Sequence, residues 1–381
     1  MKLRRTDNAI ARGEWMKTME RNPLIAVDTQ PDSPSAIYGH PRASARLRPL
    51  IADVGKRSGE FPDYLANHLP MVLEAMGRLG AAPERLEAYA RHYTLAHAVP
   101  FPPPAVSSLT DATWRSALGQ RERETDLRDY FADVVSRIGG NEAIRLHLPA
   151  LFPGVAASAT HGLMRLAYAV LRRDEMEIGI ALGYWAATYL AFPQPPLAGS
   201  PTVDDPAELI LSMQSEPSFR NIVVSSTLLW KWIEAVGHIP AFQQRLGRLA
   251  PRDDLLIRMR QASLALYAGT MSFEALHAVT GSHWLRLVSP HLDKPQILAV
   301  HFWEVVLSLY TKIGMPDLPS AEMLDAWRKL QVPPDEAIAA AAIASDDEHD
   351  HSLVFSALEE YRHTGDPLYR VVAARRVGLI E

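Results

Sequence analysis

Apolar residues return along this chain at steps of three and four, the period of a helix with one face turned to a core. From Asp63 to Gly80 the stripe holds Leu65, His68, Leu69, Val72, Leu73 and Met76, and Gly80 ends it. Pro70, which has no amide hydrogen to donate, predicts a kink or a break inside that run. Pro83 opens the next stretch, with Leu86 and Tyr89 inward and Glu84, Arg85, Glu87 and Arg91 outward, so the two read as a helical hairpin. The same period fills Leu127 to Ile138, Ala156 to Leu171, Glu175 to Leu190, Ser225 to Val236, Asp253 to Ala268, Pro295 to Ile313, Ala321 to Leu330 and Asp335 to Ala344. No segment alternates apolar and polar residues between hairpin turns. The expected fold is therefore all-α, one multi-helix body of packed helical hairpins with essentially no sheet. Residues 1–60 read as an N-terminal extension with the first helices, 61–371 as the main helical domain and 372–381 as a tail. The proline-rich stretch 193–206 is the candidate boundary between two lobes.

Composition narrows the chemistry. Of 381 residues, 48% are hydrophobic, enough for a large core. The net charge of −5 gives no basic field for nucleic acid, which points to a small-molecule partner. The chain has no cysteine, so disulfides, thiolate metal sites and cysteine nucleophiles are excluded and any metal must rest on nitrogen and oxygen. The basic start from Met1 to Arg5 has no apolar stretch behind it, and no run approaches a membrane span, so the expected compartment is the cytoplasm. A glycine-rich dinucleotide turn, a phosphate-cradling loop, a Gly-x-Ser-x-Gly elbow and a His-Glu-x-x-His helix are all missing.

What remains is histidine, with fourteen in the chain. His68 lies on an apolar stripe, either as a core ring bonded to a carbonyl or as a ligand. His161 precedes Gly162, whose missing side chain lets another element approach. Arg165, one turn on, can orient an oxygen-rich substrate or form an ordinary salt bridge. His277 and His283 are about 600° apart on an unbroken helix. They can share a cavity only if Gly281 ends one helix and Ser282 caps the next. His349 and His351 are about 200° apart, so one faces inward, and periodicity leans toward His351 with Val354, Phe355 and Leu358. His301 interrupts another apolar helix and is a reserve ligand, while His40, His92, His97, His147, His238, His291 and His363 sit beside charges or loops.

Several of these segments together resemble a known family. Asn67-His68-Leu69-Pro70-Met71, Phe152-Pro153-Gly154 with His161 to Tyr168, Leu276 to Gly281, and Asp347-Glu348-His349 are similar to the questin oxidase family, over about Phe61 to Tyr369. That resemblance implies an oxygenase of anthraquinone-type or related polyketide rings, with non-heme Fe(II) held by four histidines and a carboxylated lysine. Carried onto this chain it implies His68, His161, His277 or His283, and His349 as ligands, preferring His349 to His351. Where the family pattern has the lysine, three residues after the last histidine, this chain has Ser352. The expected supporting roles fall to Arg165, Asp347 and Glu348 in catalysis, and to Tyr168, Trp284 and Ser352 along a pocket for a hydrophobic aromatic substrate and dioxygen. Two rival readings stand beside it: a Baeyer–Villiger-type oxidase drawing on NADPH without a lasting metal, and a helical polyketide-binding protein without catalysis.

Overall fold

The computed structural model describes residues 41–193 and 201–381. The helices run in chain order as α1 (Pro41–Val54), α2 (Leu69–Leu79), α3 (Pro83–Ala96), α4 (Glu124–Ile138), α5 (Gly140–His147), α6 (His161–Arg172), α7 (Glu175–Ala187), α8 (Pro206–Ser212) and α9 (Leu229–Gly237). They continue as α10 (Pro240–Gln243), α11 (Leu255–Thr270), α12 (Phe273–Val288), α13 (Pro295–Lys312), α14 (Ala321–Arg328), α15 (Asp335–Ala344), α16 (Glu348–Thr364) and α17 (Leu368–Arg376). The all-α expectation holds. Among the described residues the one sheet is a ribbon of β1 (Glu60–Phe61) and β2 (Leu65–Ala66), antiparallel with Glu60 opposite Ala66.

Three expected helices start four to six residues later than their periodicity indicates, the run from Ser225 becoming helical at Leu229. The stripe from Asp63 becomes helical only at Leu69, with Pro70 inside the first turn, where its missing amide costs nothing. The residues before it form the ribbon, whose tip carries Asp63 and Tyr64 at positive φ. Likewise the run from Ala156 becomes helical at His161, because Ser158, Ala159 and Thr160 all have left-handed backbone, at φ of 46°, 54° and 72°. Apolar spacing survives in both places because buried loops also face the core.

Four helices enclose the interior that matters. Helix α2 packs against α6, α6 against α12, α12 against α16, and α16 back against α2. This closed ring of contacts explains why α2 is buried nearly all round: Met71, Ala75 and Leu79 join the main core, while Leu69, Val72, Leu73 and Met76 join a smaller one with α1 and α3. Close approach depends on glycine at two points. A Cβ on Gly162 would stand 2.8 Å from Trp185 of α7, and one on Gly281 only 2.1 Å from Phe302 of α13. Gly281 therefore serves packing and does not break the helix: α12 runs unbroken from Phe273 to Val288, so the break on which a shared cavity for His277 and His283 depended does not occur. The main core takes residues from both sides of the 193–206 stretch, of which 194–200 lie outside the described residues, as do residues 1–40 with His40.

Candidate metal centre

Each helix of the ring brings one histidine to its interior, and three do so at the helix start. His68 is the residue before α2, His161 the first of α6 and His349 the second of α16, while His277 lies one turn inside α12. Ring centroids are 4.4 Å apart for His68 and His161, 5.1 Å for His68 and His349, 5.9 Å for His161 and His277, and 5.7 Å for His277 and His349. Phe273 backs this square, 4.9 Å from His277 and 4.7 Å from His349.

All four rings are anchored through Nδ1. His68 is bonded to the Ala66 carbonyl at 2.9 Å, His161 to the Ser158 carbonyl, His277 to the Phe273 carbonyl at 2.9 Å, and His349 to Asp347 Oδ1 at 3.0 Å. An acceptor at Nδ1 places the ring proton there and leaves Nε2 with a lone pair. Asp347 has two tasks. It caps α16 by accepting the His349 backbone N–H at 2.9 Å, and it orients the same residue's ring, while Arg376 holds its other oxygen at 2.6 Å. Burial raises the Asp347 pKa, but the bonds from His349 and the charge of Arg376 outweigh that and keep it below the usual carboxylate range.

Burial favours the neutral form of three of these rings. Burial pushes His68, His161 and His277 well below the ordinary imidazole value, and repulsion from the neighbouring rings adds to it. The helix starts at His68 and His161, each the positive end of a peptide dipole, act in the same direction. The closest pair is His68 Nε2 and His161 Nε2 at 2.7 Å. With both protons committed to carbonyls, two lone pairs face each other there, an arrangement relieved by a cation coordinated to both. Neighbouring ligand nitrogens around a first-row metal, at bond lengths of about 2.1 Å, are about 3 Å apart. The residues thus fit a metal bound by imidazole nitrogen. Among the described residues, His68, Glu348 and His349 also bring ligand atoms within 4.8 Å of one another. Glu348, however, stands 3.8 Å from His68 Nδ1, the atom already bonded to Ala66, which leaves Glu348 at the edge of a four-imidazole centre.

The other expected residues lie elsewhere. His283, on the unbroken α12, turns Nδ1 to Glu360 at 2.9 Å, and Glu360 also accepts from Arg286 at 2.6 Å and Arg260 at 3.3 Å. It is part of a buried ion cluster, which corrects the expectation that it shares a cavity with His277. His351 is fully buried, its ring 5.1 Å from that of Tyr89, and burial lowers its pKa to about 4. Periodicity read its burial correctly, yet it is His349 that joins the square. Arg165 donates to Glu177 at 3.1 Å and to the Gly55 carbonyl at 3.1 Å inside a buried charge network, the salt-bridge alternative of the two left open for it. His301 stays apart, paired with Glu304 at 3.1 Å. Tyr168, Trp284 and Ser352 are buried core residues. The hydroxyls of Ser352 and Ser356 lie beside the Tyr168 phenol, although none of the three makes a well-directed hydrogen bond within the protein.

The sequence reading missed the anchors. Ala66, Ser158 and Phe273 act through backbone carbonyls, which carry no residue-type signal, and only Asp347 was legible as a partner. Among the described residues no helix is long and apolar enough to cross a membrane. No curated protein matches the chain. A family model described as questin oxidase-like matches residues 65–356, a span that contains all four histidines of the square, and on that match the chain belongs to the questin oxidase-like family.

Proposed function

We propose that this protein is a non-heme iron oxygenase that oxidises or cleaves a hydrophobic aromatic or quinone substrate of polyketide type with dioxygen. Membership of the questin oxidase-like family points to an oxidase. The observation that carries the finer reading is the square of His68, His161, His277 and His349, each fixed through Nδ1 with Nε2 left as a donor. Neutral imidazoles suit Fe(II), which when bound supplies the one-electron chemistry that dioxygen needs to react with a closed-shell organic molecule.

The residues of the chain have distinct roles in this reading. The three carbonyl anchors and Asp347 hold the rings against rotation. Phe273 covers the side of His277 and His349 and keeps water from it. Glu348, at the edge of the square and near His68 Nδ1, is the carboxylate placed to accept a proton from a substrate hydroxyl. Ser352 brings no anionic donor, so the positive charge of a loaded centre is balanced by Asp347 and Glu348 beside it.

The test is elemental analysis of the purified protein, followed by anaerobic Fe(II) loading and oxygen uptake with questin as the probe. The expected result is one iron per chain and oxygen consumption that tracks loss of the anthraquinone absorbance without NADPH. Product formation by metal-free protein at the expense of NADPH would replace iron with the NADPH reading. Questin binding to the iron-loaded protein with no oxygen uptake would make it a binding protein.

A further inference from the structure

Glu60 is far from the square in function as the sequence reads it, yet it touches the supports of two of its corners. In the ribbon it lies opposite Ala66, whose carbonyl anchors His68. Its buried carboxylate accepts the Ser158 hydroxyl at 2.7 Å, and the Ser158 carbonyl anchors His161. The two rings meet at Nε2, which closes a loop of contacts from Glu60 through Ala66, His68, His161 and Ser158 back to Glu60. Arg121 completes the carboxylate, donating through Nε at 2.6 Å and Nη2 at 3.3 Å.

The Ser158 side of this loop needs an anchor for a physical reason. Three successive non-glycine residues in left-handed backbone cost on the order of 1 kcal/mol each or more, and such a segment persists only where its surroundings hold it. The segment is buried, with Ala159 in the main core and Ser158 also beside the Tyr184 phenol. The Ser158 hydroxyl on Glu60 is a side-chain bond that ties the segment to an element 98 positions away. Released from it, the segment can relax toward ordinary helical backbone and carry the Ser158 carbonyl away from His161 Nδ1. Glu60 in turn is held by Arg121, whose guanidinium lies 5.0 Å from the exposed Tyr64 ring and 4.9 Å from the buried Trp230 ring.

We propose that Glu60 is a positioning residue that sets the His68–His161 pair as one unit, through the ribbon on one side and through Ser158 on the other. This rests on reading the square as a metal centre. Glu60 does not touch the metal or the substrate; it fixes the proton positions and angles of two ligand rings at once.

The experiment compares Glu60→Ala, Ser158→Ala, their combination and Glu60→Gln with the wild type, using Co(II) as the probe. Two readouts are taken: the Co(II) affinity with its visible spectrum, and the ring ¹⁵N shifts of His161 in metal-free protein, which report its tautomer. Glu60→Ala and Ser158→Ala are each expected to weaken Co(II) binding by ~10-fold or more, with an altered spectrum and a loss of the single Nδ1-protonated form of His161. The double variant should be no weaker than the weaker single one, since both remove the same tether, and Glu60→Gln, which still accepts from Ser158, should recover most of the affinity. Wild-type affinity, spectrum and tautomer in Ser158→Ala would overturn the proposal, as would full additivity in the double variant. Should the wild type itself fail to bind Co(II), the metal reading falls, and the His161 tautomer in Ser158→Ala still decides whether Glu60 positions the ring. Should Glu60→Ala fail to fold, Ser158→Ala and Glu60→Gln carry the comparison.

Discussion

Helices α12 and α16 meet twice around a histidine, and the two meetings are built differently. Near their starts, His277 and His349 are anchored by a carbonyl and by a capping aspartate, and their open nitrogens belong to a square of rings. Further along the same helices, His283 is bonded to Glu360, which is itself held by Arg286 and Arg260. The second meeting also leaves an imidazole nitrogen, His283 Nε2, buried without a hydrogen-bond partner, but it holds a buried carboxylate with cationic partners on several sides that joins the two helices. The first brings four rings together with the carboxylates of Asp347 and Glu348 at its edge and no cationic side chain among the rings, an arrangement that makes sense as a place for a cation. Burial of a histidine therefore says little about its role; what its Nδ1 bonds to, and what Nε2 faces, says much more.

The sharpest way to break this comparison is to remove a ring from each region. His68→Ala and His161→Ala are each expected to lower metal affinity by about 100-fold, at the upper end of what loss of a metal-site interaction costs, while His283→Ala leaves metal content unchanged. Elemental analysis checks this, and full metal retention by both of the first two variants would sink the site. Glu360→Ala should do the reverse. Removing it strands buried cations, at a cost of about 3–5 kcal/mol in unfolding free energy with metal stoichiometry intact, as read by urea denaturation of the loaded protein. Gly281→Ala separates packing from function in a milder way. Its Cβ must displace Phe302, which predicts a loss of about 1–3 kcal/mol, and a helix break at this position would have given no such loss.

The smallest effect is on pH dependence. In the folded, metal-free protein His68, His161 and His277 titrate below the ordinary value, so the unfolded chain binds more protons than the folded one as the pH falls through about 6.5. Stability that is present at pH 7.5 is thus lost on acidification, by at most about 1.4 kcal/mol per pH unit for each group. The urea midpoint measured between pH 7.5 and 5.5 should fall, and the slope should be shallower in a His161→Ala and His277→Ala double variant. A slope unchanged by those substitutions would mean that the acid sensitivity lies in other groups.

Much of this was legible in the sequence, and the failures have physical causes. Helical periodicity marked most elements because a helix in a helical protein must bury one face, and it placed His68 on an inward stripe. The helix starts lie later than the periodicity from Asp63 and Ala156, where a ribbon and a buried turn share the apolar spacing of a helix. The preference for His351 over His349 shows what periodicity measures: His351 does lie in the core, against Tyr89, whereas a residue facing a functional interior near a helix start need not share the core-facing stripe. It was the family resemblance that favoured His349. A break at Gly281 stayed open in the sequence because glycine both ends helices and lets them touch, and only the position of Phe302 distinguishes the two. Glu60 left no signal, since its importance lies in strand register and in a hydroxyl far along the chain.

The square also draws its corners from four widely spaced stretches of chain, and no two of them belong to one local motif. A short segment made early in synthesis, or a proteolytic fragment, cannot hold an ion in this way, because the ring of helices must close before the donors exist as a set. Any ion captured there binds the finished protein more tightly than its unfolded chain, so the difference in binding energy is added to the folding equilibrium by mass action. On the proposed metal reading, metal supply acts as a gauge of completed folding, and chelation should shorten the lifetime of the native protein before it is noticed as lost chemistry.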